Sequence, residues 1–489
     1  MSPIVVTPAA PSQQHAGLRL ALLAFAQFII AVDYNIVYVA LPDIGSALNF
    51  SPQSLQWVVS AYAVGFGGLL LFGGRAVDRL GQRRIFMIAL AVYAASSLVG
   101  GLANDSVLLV VARAVQGLGG ALLFPATLSL IMTSFAEGPA RNKAMGAWGA
   151  AGGAGLSAGA LLGGVFTQYV GWEWVFFINI PLAAIALIAA PKLLAPDAPR
   201  TNSQGSFDIP GAVLATAGSS LLVFGLVSGP EAGWASLRGA GALVLGVVLL
   251  LAFLLVEKST KDPLVPLSMF RNRSLTPSMA VILVYQGALG AAYYLLTTYL
   301  QPVLGYSALE AGLAFLPLTV ISVVALGQVG PRMIAKYGAR LTLFVGMIGT
   351  GIGLAAMVAG MTVGGSFWAL LPGVAFFGLA GGVTFVTMFV AAGTGVAPEQ
   401  QGVAAALAST SQQVGGAMGL AALIAVANST LPTSTAGAAA ADIVDGIRLA
   451  GVIGGAATVI GAFFALAIKK DAPAPAVESA PSEQTVPVA

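Results

Sequence analysis

Fourteen stretches of unbroken apolar residues follow one another along the chain. Their approximate bounds are 18–40, 55–74, 84–103, 106–133, 143–167, 172–192, 208–229, 237–257, 274–300, 308–329, 339–360, 366–391, 401–428 and 447–468. At a helical rise of about 1.5 Å per residue, each is long enough to cross a bilayer. A membrane β-barrel would instead alternate polar and apolar positions over strands of about ten residues. The pattern predicts an all-α membrane protein of 14 transmembrane helices.

Composition agrees. The 489 residues are 58% hydrophobic and 8% charged, against about 25% charged in soluble chains. The chain contains no cysteine, and its one histidine is His15 in the polar N-terminal stretch. These facts exclude thiol catalysis, disulfides and histidine or thiolate metal sites, so neither a metal nor a cofactor is expected. Residues 1–17 lack a basic stretch leading into a short apolar core, and the first apolar run ends in ALPDIG rather than a small-residue cleavage site. An uncleaved first span is therefore expected, not a removed signal peptide.

Charge placement gives the orientation. With the N-terminus inside, 18 of the 21 Lys and Arg fall in inside segments. Only Arg238 and Arg448 fall outside, and Arg113 lies within a span. The positive-inside rule then puts both termini in the cytoplasm.

An internal repeat sets the domains. Gly74, Arg75, Arg79, Gly81 and Arg83 follow the second span, and Arg332, Lys336, Gly338 and Arg340 follow the tenth at an offset of 257 from their counterparts. The expected organisation is a tail at 1–17, a six-helix unit at 18–200, two additional helices at 201–262, a second six-helix unit at 263–468 and a tail at 469–489. Parallel repeats of this kind build transporters that rock about a site near the membrane midplane.

Asp33 is a lone carboxylate inside the run Leu20–Leu41. A charge at that depth costs at least a few kcal/mol, so it faces a partner or a water-filled path. Arg113, in the antiparallel fourth span, falls at a similar height. The two could pair, or compete for a bound ligand and proton; in the functional reading Asp33 carries a proton and Arg113 tunes how tightly it is held. A fixed ion pair joining the first and fourth helices is the structural alternative. In the loop after the second span, Gly74, Asp78, Arg79, Gly81 and Arg83 suit a conformational latch, although any basic cytoplasmic loop also fixes topology. Gly155, Gly159 and Gly163 recur every fourth residue in the fifth span, with Gly164 adjacent. They make a smooth stripe for close helix approach, expected at a sliding interface such as that between the halves. For a substrate cavity the chain offers Gln27, Tyr34, Asn35, Gln116, Phe124, Tyr285, Gln286, Tyr293 and Tyr294. Aromatic and amide groups suit a bulky, mostly apolar ligand.

Together these residues resemble the major facilitator superfamily, and within it the 14-helix drug:proton antiporters. DYNIVYVALP is similar to that family's first-helix motif, with Asp33 at its acidic position. GGRAVDRLGQRR resembles the loop signature, RAVQGLGGALLFPA the fourth-helix motif whose arginine is Arg113, and the glycines from Gly155 to Gly164 the fifth-helix antiporter motif. Ala160, Glu173 and Gln412 depart from the family pattern. The resemblance implies the major facilitator fold, two six-helix bundles plus two extra central helices, and Arg113 in proton coupling. It implies a proton-coupled exporter of lipophilic drug- or antibiotic-like molecules in the cytoplasmic membrane, not an enzyme. With no acid in the middle of the last six spans, a neutral or monocationic substrate is expected. The expected partners are that substrate, protons and the bilayer, with no nucleic acid and a monomeric chain. A metabolite exporter or proton symporter of the same fold is the nearest alternative. A membrane-embedded sensor or enzyme is more remote, and no phosphate-binding G-x-x-x-x-G-K-[ST] sequence occurs.

Overall fold

The computed structural model describes residues 16–50, 55, 57–197, 208–260, 263–306, 308–430 and 440–469. Nearly all of the two tails expected from the sequence lies outside these residues. The described residues are helical, with no strand among them.

The N-terminal bundle comprises α1 (Ala16–Ala47), α2 (Trp57–Leu80), α3 (Gln82–Gly101), α4 (Ser106–Ser134), α5 (Pro139–Tyr169) and α6 (Asn179–Leu193). The additional pair is α7 (Ile209–Ala232) and α8 (Ala242–Ser259). In the second bundle α9 is Leu275–Thr298. A run of short pieces beginning with Ala308–Ala314 then continues into Gly330–Ala359, where the chain breaks at Gly338 with φ 77°. We take 308–337 as α10 and 339–359 as α11. The last three helices are α12 (Phe367–Gly393), α13 (Gln401–Asn428) and α14 (Ala440–Ala465). Among the described residues, twelve segments are long and apolar enough to cross a membrane. Dividing the 50-residue segment Glu310–Ala359 at Gly338 and counting the shorter apolar helix Pro210–Leu226 gives the 14 spans that the hydropathy pattern predicts.

The repeat has a backbone counterpart. Gly81 ends α2 with φ 103°, and Gly338, its partner in the second half, has φ 77°. A side chain is strained in that region, so both halves use glycine to turn from their second helix into their third.

Within the first half α1 packs on α5, and α4 on α2 and α3; within the second, α9 packs on α13 and α11 on α12. The halves meet along two seams, α2 against α13 and α5 against α10. The additional pair lies beside the first seam. The rings of Trp57 on α2 and Phe224 on α7 stack with centroids 5.4 Å apart, and a methyl on Gly67 would touch both Val223 of α7 and Gln413 of α13.

Candidate functional site

Asp33 and Arg113 are completely enclosed, at 0% and 1% exposure. The Arg113 Nη1 donates to Asp33 Oδ2 at 2.8 Å. The other carboxylate oxygen accepts from Gln116 Nε2 and from Asn179 Nδ2, both at 2.7 Å. Gln116 ties the pair further, because its Oε1 accepts from Arg113 at 2.7 Å and its Nε2 also donates to Ser97 Oγ at 2.8 Å. Arg113 Nε donates to the carbonyl of Val58 at 2.9 Å. Four helices, α1, α3, α4 and α6, thus contribute side chains to one neutral network. Buried charges require such satisfaction, since an isolated ion at this depth would be prohibitively costly.

A cavity of about 240 Å³ lies between the halves. Gln27, Tyr34, Phe124, Tyr285, Gln286 and Tyr293 line it, together with Gln412 and Gln413 of α13. Among the described residues no charged side chain reaches its wall. Asp33 is not part of that wall. Tyr62 separates the two, lining the cavity with its ring while the Arg113 guanidinium lies 4.4 Å from the ring centroid.

Three residues offered by the sequence for the cavity face elsewhere. Gln116 belongs to the Asp33 network. Asn35 donates through Nδ2 to the Leu156 carbonyl at 2.8 Å, joining α1 to α5. Tyr294 packs against a separate apolar cluster around Leu295 and Leu296. The reason is helical geometry. Successive residues point about 100° apart, and here that rotation turns Asn35 and Tyr294 away while Tyr34 and Tyr293 face the cavity.

Below the cavity, aromatic rings from both halves interlock. Trp148 of α5 is fully buried, with Phe124 of α4 at 5.3 Å and Phe389 of α12 at 5.6 Å between centroids. This layer lies toward the end carrying the loop between α2 and α3.

That end is closed by Asp78. Its carboxylate accepts from the backbone N–H groups of Gly402 and Val403, each at 2.9 Å, at the start of α13. Anions are favoured there by the exposed N–H groups and the helix dipole. Gly74, one turn earlier, lets the helices meet, since a methyl on it would lie 2.5 Å from the Gly402 carbonyl. Asp197, which the sequence reading passed over, accepts from the backbone N–H of Arg83 and Arg84 at 3.0 Å and so caps α3. Arg83 also donates to the Leu194 carbonyl at 3.2 Å. Arg79 occupies the last turn of α2.

The glycine stripe faces a different partner from the one expected. Methyls on Gly155 and Gly159 would meet Phe28 and Val32 of α1, in the same half. Gly163 is buried, whereas a methyl on Gly164 would meet nothing within 4 Å. The seam between halves is made instead by Gly146, Gly149 and Gly153, which lie against Pro331, Leu326 and Val323 of α10. Four-residue spacing fixes a face but not its neighbour, and α5 carries glycine on two faces.

Asn179 and Tyr62 also went unnoticed in the sequence. Asn179 left a signal, being an amide inside an apolar span, where a polar group needs a partner. Tyr62 left none.

The chain belongs to the Major Facilitator Superfamily, whose family profile matches residues 23–420. It is 37% identical over 427 residues to the cephamycin export protein CmcT of Amycolatopsis lactamdurans, covering 85% of both chains. It is 38% identical over 429 residues to the puromycin resistance protein pur8 of Streptomyces alboniger, covering 87% of this chain and 83% of that one. Among solved structures, the proton:xylose symporter XylE shares the fold with a TM-score of 0.67 at 14% identity, over 92% of this chain and 95% of that one. The protein is thus a multi-pass membrane transporter of this superfamily, not an enzyme.

Proposed function

We propose that this protein is a proton-coupled antiporter that exports lipophilic, drug- or antibiotic-like small molecules by alternating access. The observation that carries the reading is the buried Asp33–Arg113 pair, one aromatic ring away from an uncharged cavity between two repeats. The printed activities of the antibiotic export and resistance relatives support the cargo class. The distribution of Lys and Arg supports cytoplasmic termini, which puts the Asp78 closure on the cytoplasmic side.

The chemistry follows from the network. A proton binding to a carboxylate oxygen of Asp33 removes the negative charge that holds Arg113. The guanidinium then lacks its counter-ion and shifts toward its remaining acceptors, the Gln116 and Val58 oxygens. Tyr62, stacked on that guanidinium, moves with it and reshapes the cavity wall. Substrate binding weakens on the outward side, and loss of the proton to the cytoplasm restores the pair. Asp33 and Arg113 are the coupling residues in this scheme. The protein works as a monomer in the cytoplasmic membrane.

The test uses everted membrane vesicles with an imposed pH gradient and puromycin as the probe. Wild-type protein should accumulate puromycin only when the interior is acidic, and Asp33→Asn should lose that dependence. Gradient-driven accumulation by Asp33→Asn equal to wild type would remove the coupling role. Transport that ignores the gradient in wild type would remove the antiport reading.

A further inference from the structure

The cavity contains a repeated pair. Gln27 and Tyr34 are seven residues apart on α1, and Gln286 and Tyr293 are seven apart on α9, at a common offset of 259. All four line the cavity. Because α1 and α9 open the two repeats, the internal symmetry of the fold sets the pairs on opposite walls. Seven residues are two helical turns, about 10 Å along each helix. Tyr34 and Tyr293 are 45% and 38% exposed and mark the wider end. Gln27, at 7%, lies deep.

The two carboxamides carry an unmet need. Gln27 Oε1 and Gln286 Oε1 are both buried, and neither accepts a hydrogen bond. A buried acceptor without a donor is unfavourable, and both side chains border the cavity, so a carboxamide that turns its oxygen toward a ligand donor gains the missing bond. The rest of the wall carries aromatic rings, with Phe377 and Phe385 of α12 added to the tyrosines. The pattern suits a flat ring system. Asp33 is shielded behind Tyr62 and hydrogen-bonded to Arg113, Gln116 and Asn179. A permanent cation entering this cavity would lose its water and gain no counter-charge.

We infer that the Gln27/Tyr34 and Gln286/Tyr293 pairs form a two-ended cradle for an uncharged, planar, ring-bearing molecule with hydrogen-bond donors at both ends. One donor goes to the carboxamide of each half, so the ligand bridges the two bundles. The inference rests on reading this cavity as the substrate site and specifies what that site accepts. It narrows the expected cargo from neutral or monocationic compounds to neutral ones.

The test measures equilibrium binding to the full-length protein in lipid nanodiscs. The probes are anthraquinone, a monoaminoanthraquinone, a diaminoanthraquinone with its amines at opposite ends, and ethidium as a permanent planar cation. Affinity should rise from anthraquinone through the monoamine to the diamine by roughly fivefold to tenfold per amine. Ethidium should bind more weakly than the diamine. Gln27→Leu and Gln286→Leu should each remove one such step from the ratio of diamine to anthraquinone affinity, and melting temperatures no lower than wild type show that the variants are folded. Gln27→Glu should strengthen ethidium binding by supplying the missing counter-charge. Equal affinity for all three anthraquinones, diamine binding untouched by either Leu variant, or ethidium binding tighter than the diamine in wild type would each overturn the cradle. Those results leave proton-driven export intact, because the vesicle assay reads it independently. Conversely, loss of gradient dependence there would not alter these affinities.

Discussion

The Asp78 carboxylate holds the backbone N–H of Gly402 at 2.9 Å across 324 residues of sequence and across the seam between the two halves. A hydrogen bond to a charged acceptor is worth about 1.5–3 kcal/mol, and this carboxylate makes a second one to Val403. Breaking the seam at this end therefore requires giving up both together. Asp78→Ala should shift the population toward the form open at this end by tenfold or more. The chain has no cysteine, so spin labels at Leu80→Cys and Glu399→Cys report that distance cleanly. A lengthened and broadened distance distribution is expected, and an unchanged one would show that the carboxylate does not hold the seam.

Removing one member of the buried ion pair leaves the other uncompensated. Arg113→Leu should destabilise the protein by about 3–5 kcal/mol. Adding Asp33→Asn to that variant should recover a substantial part of the loss, since the stranded carboxylate is gone. Thermal unfolding of the two single variants and the double variant in one detergent forms the cycle. Strict additivity would mean that the two side chains do not interact energetically.

Gly159 and Gly164 belong to the same glycine-rich helix, yet one is packed and the other is not. A methyl on Gly159 would sit 2.5 Å from the Val32 carbonyl. Gly159→Ala should cost about 1–3 kcal/mol through overpacking. Gly164→Ala should fall within about 0.5 kcal/mol of wild type, because open space surrounds that position. Similar melting temperatures for both would remove the argument for close contact between α1 and α5.

Asp197 caps α3 from the chain that follows α6. Asp197→Ala should cost about 0.5–2 kcal/mol, with faster amide exchange at Arg83 and Arg84, whose N–H groups it accepts from. Exchange unaffected at those two amides would rule the cap out.

The span count and the repeat were readable from the sequence because they rest on properties of single segments. Apolar length marks a helix in lipid, and a glycine at matched positions marks a matched turn, as Gly81 and Gly338 show. The closeness of Asp33 and Arg113 was readable too, since depth in a membrane follows from counting residues along two antiparallel helices. Partners around a helix were not. Counting gives height but not azimuth, so it does not tell that Gln116 faces Asp33 rather than the cavity, nor that the Gly155–Gly159 stripe faces α1. Asp197 looked like one acid in a polar connection, and only folding brings it to the start of α3.

The additional helix pair is fastened at both ends. Phe224 of α7 is stacked on Trp57 of α2, and Glu257 of α8 grips the backbone N–H groups of Leu264 and Val265 at 3.0 and 3.3 Å, just ahead of α9. One anchor travels with the first bundle, and the other is at the threshold of the second. The hairpin therefore runs from a ring contact on the first bundle to the short connection between Val265 and Leu275 that leads into the second.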